Sequence, residues 1–275
     1  MTRIPIKALE GALLNVTRRG GGPTIVGLHG FTGSLATWDL FTTTLNDTYG
    51  FVGIDLLGHG SSDSPNDVAM YSMERFTLAL EEILDALQLE RVYWLGYSLG
   101  GRIALSAASA LAHRTAGVVL ESASPGLRTS EERSARVRDD ELLADWLEDV
   151  GMESFVDYWQ ALPLWASQAR LSTSKKEKLR SQRLLNDPIG LGNSLRGIGT
   201  GAQPPMHDQL GNIDLPVLVI AGEDDGKFSE IAKEMCQDLA RSELCILAQA
   251  GHAVHLEQPD VFYGAVQEFL ESIKT

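Results

Sequence analysis

The chain has 275 residues, enough for one large α/β domain with a sizeable core. Its formal net charge of −14 argues against nucleic-acid binding, which needs a basic face, yet leaves small ligands open because a local pocket can oppose the global sign. No stretch of about 18 apolar residues is available to cross a membrane, and the opening MTRIPIKALEG lacks the apolar centre of a signal peptide, so a cytoplasmic protein is expected.

The predicted elements alternate along the chain. ALLNVTR (12–18) reads as the edge strand of an N-terminal hairpin, and RGGGP, Arg19 to Pro23, as a hairpin turn that lacks the lysine of a P-loop. TIVGLHG (24–30) and FVGIDLLG (51–58) are short β-branched runs bounded by glycine. A helix over 72–89 follows, then the strand RVYWLGYS (91–98), a helix over 100–113 and the strand AGVVLESAS (116–124). Beyond the interval 127–213 the alternation resumes with PVLVIAGE (216–223), a helix over 229–240, ELCILAQAG (243–251) and a helix over 260–273. The six runs from 24–30 onward read as strands buried on both faces, so the expected fold class is α/β: a doubly wound, mostly parallel sheet.

The interval 127–213 holds no convincing strand, only charged amphipathic helical sequence with Trp146, Tyr158, Trp159 and Trp165. It is too long for a loop and too short for an independent domain. We read it as a helical lid over the carboxyl ends of the strands, on a core of 1–126 and 214–275.

Gly96-Tyr97-Ser98-Leu99-Gly100 is a G-x-S-x-G pattern with a strand running in and a helix running out, the context of a nucleophile elbow. The glycines permit the sharp turn, and Ser98 stands at a helix N-terminus that favours developing negative charge. Among six histidines, His252 follows the last strand and is the expected base; His255 is the alternative, or a structural residue at a helix entry. His29 and His59 read as packing and turn residues with a substrate contact as the alternative, and His113 and His207 as surface residues. Glu223, Asp224 and Asp225 all satisfy the chain order serine, acid, histidine. Asp225 is favoured because the acid must turn back toward His252, leaving Asp224 as a solvated charge. The oxyanion donors are then the N–H groups of Leu99 and Phe31. Cys236 and Cys245 have no metal-ligand spacing around them and read as reduced, mostly buried thiols.

HG after one strand, DLLGHGSSD after the next, the elbow, the late acid and the late GH together resemble the α/β-hydrolase superfamily across essentially the whole chain. Within it, GYSLGGR, SPGLRTSEERSARVRDD, FVDYWQALPLWASQ, GEDDGKF and AGHAVHLEQP look like the 2-succinyl-6-hydroxy-2,4-cyclohexadiene-1-carboxylate synthase (MenH) family of menaquinone or phylloquinone biosynthesis. That resemblance implies a lyase that eliminates pyruvate without metal or organic cofactor. It implies a small anionic substrate with three carboxylates. From charge and hydropathy no nucleic-acid or membrane partner is expected, and a monomer or weak homo-oligomer is expected.

Arg102 fits such a substrate: at i+4 from Ser98 on the elbow helix it shares the serine's face, and a guanidinium forks onto a carboxylate. The resemblance matches Arg136 and Arg183 to two further carboxylate-binding arginines, with Arg133, Arg138 and Arg180 as their neighbours to be distinguished. It places Tyr97 in the site and a lid aromatic over the substrate, where Tyr158 aligns and Trp159 is adjacent. Two other classes remain: a serine-triad hydrolase, either an esterase or a carbon–carbon hydrolase, and a non-catalytic binding protein on the same fold.

Overall fold

A computed structural model of the chain describes residues 2–45 and 48–274. An eight-stranded sheet runs in the order β1-β2-β4-β3-β5-β6-β7-β8. The strands are β1 (Thr2–Pro5), β2 (Leu13–Arg19), β3 (Thr24–Leu28), β4 (Gly50–Ile54), β5 (Val92–Tyr97), β6 (Thr115–Glu121), β7 (Val217–Gly222) and β8 (Ser242–Leu247). β1 and β2 pair antiparallel, as do β2 and β4; all other neighbours are parallel.

The parallel centre is apolar on both faces because the two-residue period of a strand sends alternate side chains to opposite cores. Val92 and Trp94 of β5 enter one cluster, whereas Tyr93, Leu95 and Tyr97 enter the other. β7 divides the same way, Val217, Val219 and Ala221 against Leu218 and Ile220. Each fully buried side chain of this size contributes roughly 1.5–3 kcal/mol. Trp94 is buried without an orphaned donor, since its Nε1–H donates to Thr115 Oγ1 at 2.9 Å.

Nine helices are found among the described residues: α1 (Asp39–Thr44), α2 (Met73–Ala86), α3 (Leu99–Ala110), α4 (Ser130–Gln160), α5 (Thr173–Arg183), α6 (Pro188–Ile198), α7 (Gly226–Asp238), α8 (Val254–Glu257) and α9 (Pro259–Ser272). Five of them, α2, α4, α5, α6 and α7, start on a side-chain cap. Ser72 accepts the Arg75 N–H before α2, Thr129 and Glu132 form a capping box on α4, and Asp187 with Pro188 opens α6. The stretch from 127 to 213 contains α4, α5, α6 and short 3-10 turns, and no strand among its residues. α4 is broken at Gly151, whose φ of 74° lies in the left-handed region.

Three expectations are corrected. β2 is an interior strand; the edge is the four-residue β1, too short to announce itself. Arg19 to Pro23 is therefore no hairpin turn, because β4 lies between β2 and β3 and the segment crosses it. β8 closes the other edge and is only partly covered, Leu244 being exposed, so it is not buried on both faces.

Candidate active site

The carboxyl ends of β3, β5, β6 and β7 and the loop after β8 share one edge of the sheet, and the predicted chemistry gathers there. Ser98 follows β5 with φ 50° and ψ −108°, a left-handed backbone that costs energy for a residue with a Cβ. The neighbouring glycines are sterically required. A Cβ on Gly96 would run into the Gly100 carbonyl, and one on Gly100 into the carbonyl oxygen of Leu28 on β3.

His252 Nε2 lies 3.0 Å from Ser98 Oγ, and His252 Nδ1 lies 2.7 Å from Asp225 Oδ2. A carboxylate can only accept, so Nδ1 carries the proton and Nε2 is left as the acceptor facing the serine hydroxyl. The other carboxylate oxygen, Asp225 Oδ1, accepts the Phe228 N–H at the start of α7, which fixes the side chain's direction. His252 and Asp225 are both buried. Asp224 does not join them: it pairs with Arg170 at 2.5 Å on the outside of the loop, so it is partnered rather than freely solvated. Glu223 is exposed.

The remaining histidines are accounted for. His255 Nδ1 donates to the fully buried Glu121 carboxylate at 2.9 Å, a structural role. His29 Nδ1 donates to Gly30 O at 2.8 Å while its Nε2 accepts the Leu56 N–H at 3.0 Å, and His59 Nδ1 donates to Leu57 O. His113 is exposed, but His207 is half-buried rather than a free surface residue. Both cysteines are half-buried free thiols, pushed up in pKa by that burial and so poor nucleophiles.

Ser98 and His252 open into a cavity of about 250 Å³. Phe31, Tyr97, Leu99, Arg102, Arg136 and Trp159 line it. The backbone N–H groups of Phe31 and Leu99 have no acceptor among the described residues. Arg102, 8% exposed, is held by its Nη1 donating to Ile198 O and Gln203 Oε1, both at 2.8 Å. Burial, then the neighbouring Arg136, lowers its pKa to about 10, which still leaves it charged at neutral pH. Arg136 Nε donates to Asp140 Oδ1 at 2.8 Å, and burial raises the pKa of that carboxylate.

Two expected site residues lie outside this cavity's lining. Arg183 does not line this cavity. It stands behind Trp165, its Cζ 5.2 Å from the ring centroid, facing a separate cleft, where burial lowers its pKa to about 10. Tyr158 points outward, 47% exposed against Trp146, while Trp159 faces the cavity, stacked on Phe155 and edge-on to Phe31. Of the neighbouring arginines, Arg133 donates to the carbonyls of Leu127 and Arg128, Arg138 is exposed, and Arg180 pairs with Asp157.

Among the lining residues not anticipated from the sequence are Trp165 and Phe228, whose rings pack edge-on against His252, and Lys227 and Ser194. Lys227 and Phe228 lie inside the GEDDGKF segment and were readable from their distance to the acid; Ser194 carries no sequence signal. No group of three or more His, Cys, Asp or Glu able to hold a metal occurs among the described residues.

The family model for the alpha/beta hydrolase fold matches residues 23–259. A Bacillus subtilis protein provisionally named a 2-succinyl-6-hydroxy-2,4-cyclohexadiene-1-carboxylate synthase is 43% identical over 99% of this chain and 100% of its own length. The synthase of that name from Klebsiella pneumoniae subsp. pneumoniae is 29% identical over 92% of this chain and 95% of its own. The solved structure of MenH from S. aureus superposes with a TM-score of 0.91 at 32% identity, covering 94% of this chain and 99% of that one. The chain belongs to the alpha/beta hydrolase fold family and, within it, to the family of 2-succinyl-6-hydroxy-2,4-cyclohexadiene-1-carboxylate synthases.

Proposed function

We propose that this chain is a lyase that eliminates pyruvate from 2-succinyl-5-enolpyruvyl-6-hydroxy-3-cyclohexene-1-carboxylate to give 2-succinyl-6-hydroxy-2,4-cyclohexadiene-1-carboxylate. The observation that carries the reading is one cavity holding both a hydrogen-bonded Ser98–His252–Asp225 set and the guanidinium of Arg102, with Arg136 beside it. A tricarboxylate needs local cations in a chain of charge −14, and an esterase of neutral substrates has no use for a buried arginine one turn past its nucleophile.

In this mechanism Asp225 orients His252, and His252 draws the proton from Ser98 Oγ. The serine oxygen, or His252 through it, removes the ring proton beside the succinyl ketone. The N–H groups of Phe31 and Leu99 hold the oxygen of the resulting dienolate. The electron pair then returns to the ring, the carbon–oxygen bond to the side chain breaks, and pyruvate enolate leaves, taking up at its methylene carbon the proton that His252 holds to become pyruvate. No acyl-enzyme and no cofactor enters. Arg102 and Arg136 each hold a substrate carboxylate, and Tyr97 and Trp159 shape the cavity. Residues 127–213 act as the lid on the core formed by 1–126 and 214–275. Among the described residues no helix is long and apolar enough to cross a membrane. The proposed enzyme is cytoplasmic and monomeric or weakly self-associating, and its partner is a small anion.

The test is a contrast of substrates. A charge-assisted hydrogen bond is worth roughly 1.5–3 kcal/mol, so Arg102→Ala should lower kcat/KM for the tricarboxylate by roughly ten- to a hundredfold. Turnover of a small neutral ester such as p-nitrophenyl acetate should barely change. Equal loss on both substrates would make Arg102 structural and remove the support for a polycarboxylate lyase over a hydrolase.

A further inference from the structure

Glu257 lies at the end of α8, its side chain only 3% exposed. A carboxylate so buried needs partners, and Glu257 has three from two different parts of the molecule. Its Oε2 accepts the N–H of Gly251, the residue before His252, at 3.0 Å. Its Oε1 accepts the Ser167 hydroxyl at 3.0 Å. Arg170 Nη2 stands 3.5 Å from Oε2.

Ser167 and Arg170 both belong to the 3-10 turn Pro163–Arg170 within the helical insertion. The same turn carries Trp165, whose ring packs edge-on against His252 at 5.5 Å. The guanidinium reaches further: Nη2 also donates to Gln249 O at 3.1 Å and to Asp224 Oδ2 at 2.5 Å. Gln249 precedes the base by three residues and Asp224 precedes the acid by one. A single insertion side chain therefore touches both loops that carry the charged half of the triad. Those loops are also joined directly, the Asp224 N–H donating to Ala250 O at 2.9 Å. The seat is tight, because a Cβ on Gly251 would collide with Ser167.

We infer that Glu257, Ser167 and Arg170 are positioning residues that make the placement of His252 depend on the seating of the helical insertion. None of the three lines the cavity, so their effect runs through the base rather than through contact with substrate. The inference rests on the triad of the proposed function and not on the identity of its substrate. It explains why an exposed arginine is tied to an acid, a carbonyl and a buried glutamate at once, where a solvated surface arginine would need none of them.

The experiment reads the serine directly. A fluorophosphonate labels Ser98 by forming an Oγ–P bond, expelling fluoride and passing the hydroxyl proton through His252 to solvent, so its rate reports the serine–base alignment for any substrate. Displacement of a catalytic group by about 1 Å costs on the order of a hundredfold. Arg170→Gln and Glu257→Gln should slow labelling by about tenfold or more, and Ser167→Ala by less. Arg170→Lys should recover part of the rate, since one ammonium cannot reach all three acceptors. In pyruvate release the same variants should lose kcat while KM stays within about twofold. Lys233→Gln, which breaks only a surface pair with Glu230, is the control and should label at the parent rate. Folded Arg170→Gln and Glu257→Gln variants that label as fast as the parent would overturn the inference, as would a loss confined to KM. Should Glu257→Gln fail to fold, Arg170→Gln decides alone, because its side chain is half exposed and dispensable for packing. A parent that labels but releases no pyruvate would sink the synthase reading and leave this inference standing.

Discussion

His252 sits between Ser98 Oγ at 3.0 Å and Asp225 Oδ2 at 2.7 Å, and the three side chains are expected to behave as one unit. Ser98→Ala or His252→Ala should lower kcat by about three orders of magnitude or more. Asp225→Asn should also be severe, because an amide can present its NH₂ to Nδ1 and select the wrong tautomer. Asp224→Asn should be milder than Asp225→Asn, yet not silent, since it loosens the contact to Arg170. Steady-state kinetics on the four variants settles the order, and a worse result for Asp224→Asn would reassign the acid. The hydrogen-bonded arrangement of Ser98, His252 and Asp225 was legible in the sequence because strand, turn and helix signals bracket Ser98 and because chain order restricts its partners. That Arg102 lies on the cavity side of the elbow helix was legible from helical spacing. Tyr158 and Trp159 were not separable: adjacent helical positions differ by roughly 100° of rotation, and the helix break at Gly151 removes the phase reference. Accordingly Trp159→Ala should raise KM markedly, whereas Tyr158→Ala should leave it nearly unchanged. Motif position alone did not fix where the Arg183 side chain points: its guanidinium lies 5.2 Å from the ring of Trp165, which lines both the cavity and the neighbouring cleft.

The elements were readable wherever periodicity was strong. The central strands β3 to β7 and helices α2, α3, α7 and α9 fall close to where their apolar patterns put them. The edges failed for a physical reason. A four-residue strand such as β1 has too few positions to show alternation, and a half-exposed edge strand such as β8 can be as apolar as a buried one. The elbow makes a prediction at this scale. Gly100→Ala drives a methyl into backbone carbonyls of β3 that cannot move without breaking the sheet, so it should cost about 1–3 kcal/mol or more. Gly264 lies inside α9 with open space at its Cβ position, so Gly264→Ala should instead stabilise by roughly 0.5–1 kcal/mol. Urea titration of both variants checks the opposite signs; equal destabilisation would mean that the packing around the elbow is looser than the geometry indicates.

At the scale of the molecule, two buried imidazoles set an acid limit on stability. Burial lowers His29 from 6.5 to about 4 and His59 from 6.5 to about 3. Below pH 6.5 the unfolded chain therefore takes up protons that the folded chain refuses. Their contribution to stability is complete above that pH and is lost as pH falls toward about 4, where His29 itself would charge and release the Leu56 N–H. Linkage puts the loss on the order of 2 kcal/mol for each by pH 5. The urea midpoint should thus fall clearly between pH 7.5 and pH 5; a flat profile would contradict the burial of both rings.

The claim that joins all three scales is that one cavity, built at the carboxyl edge of the sheet, uses a serine triad to eliminate rather than hydrolyse. The most direct measurement is pyruvate release when the purified protein meets the enzymatically generated tricarboxylate precursor, followed together with formation of the conjugated cyclohexadiene. One pyruvate per diene formed is expected, with both signals abolished in Ser98→Ala. Precursor left unconsumed by a protein whose Ser98 is reactive toward an activated ester, or pyruvate released without the diene, would contradict it.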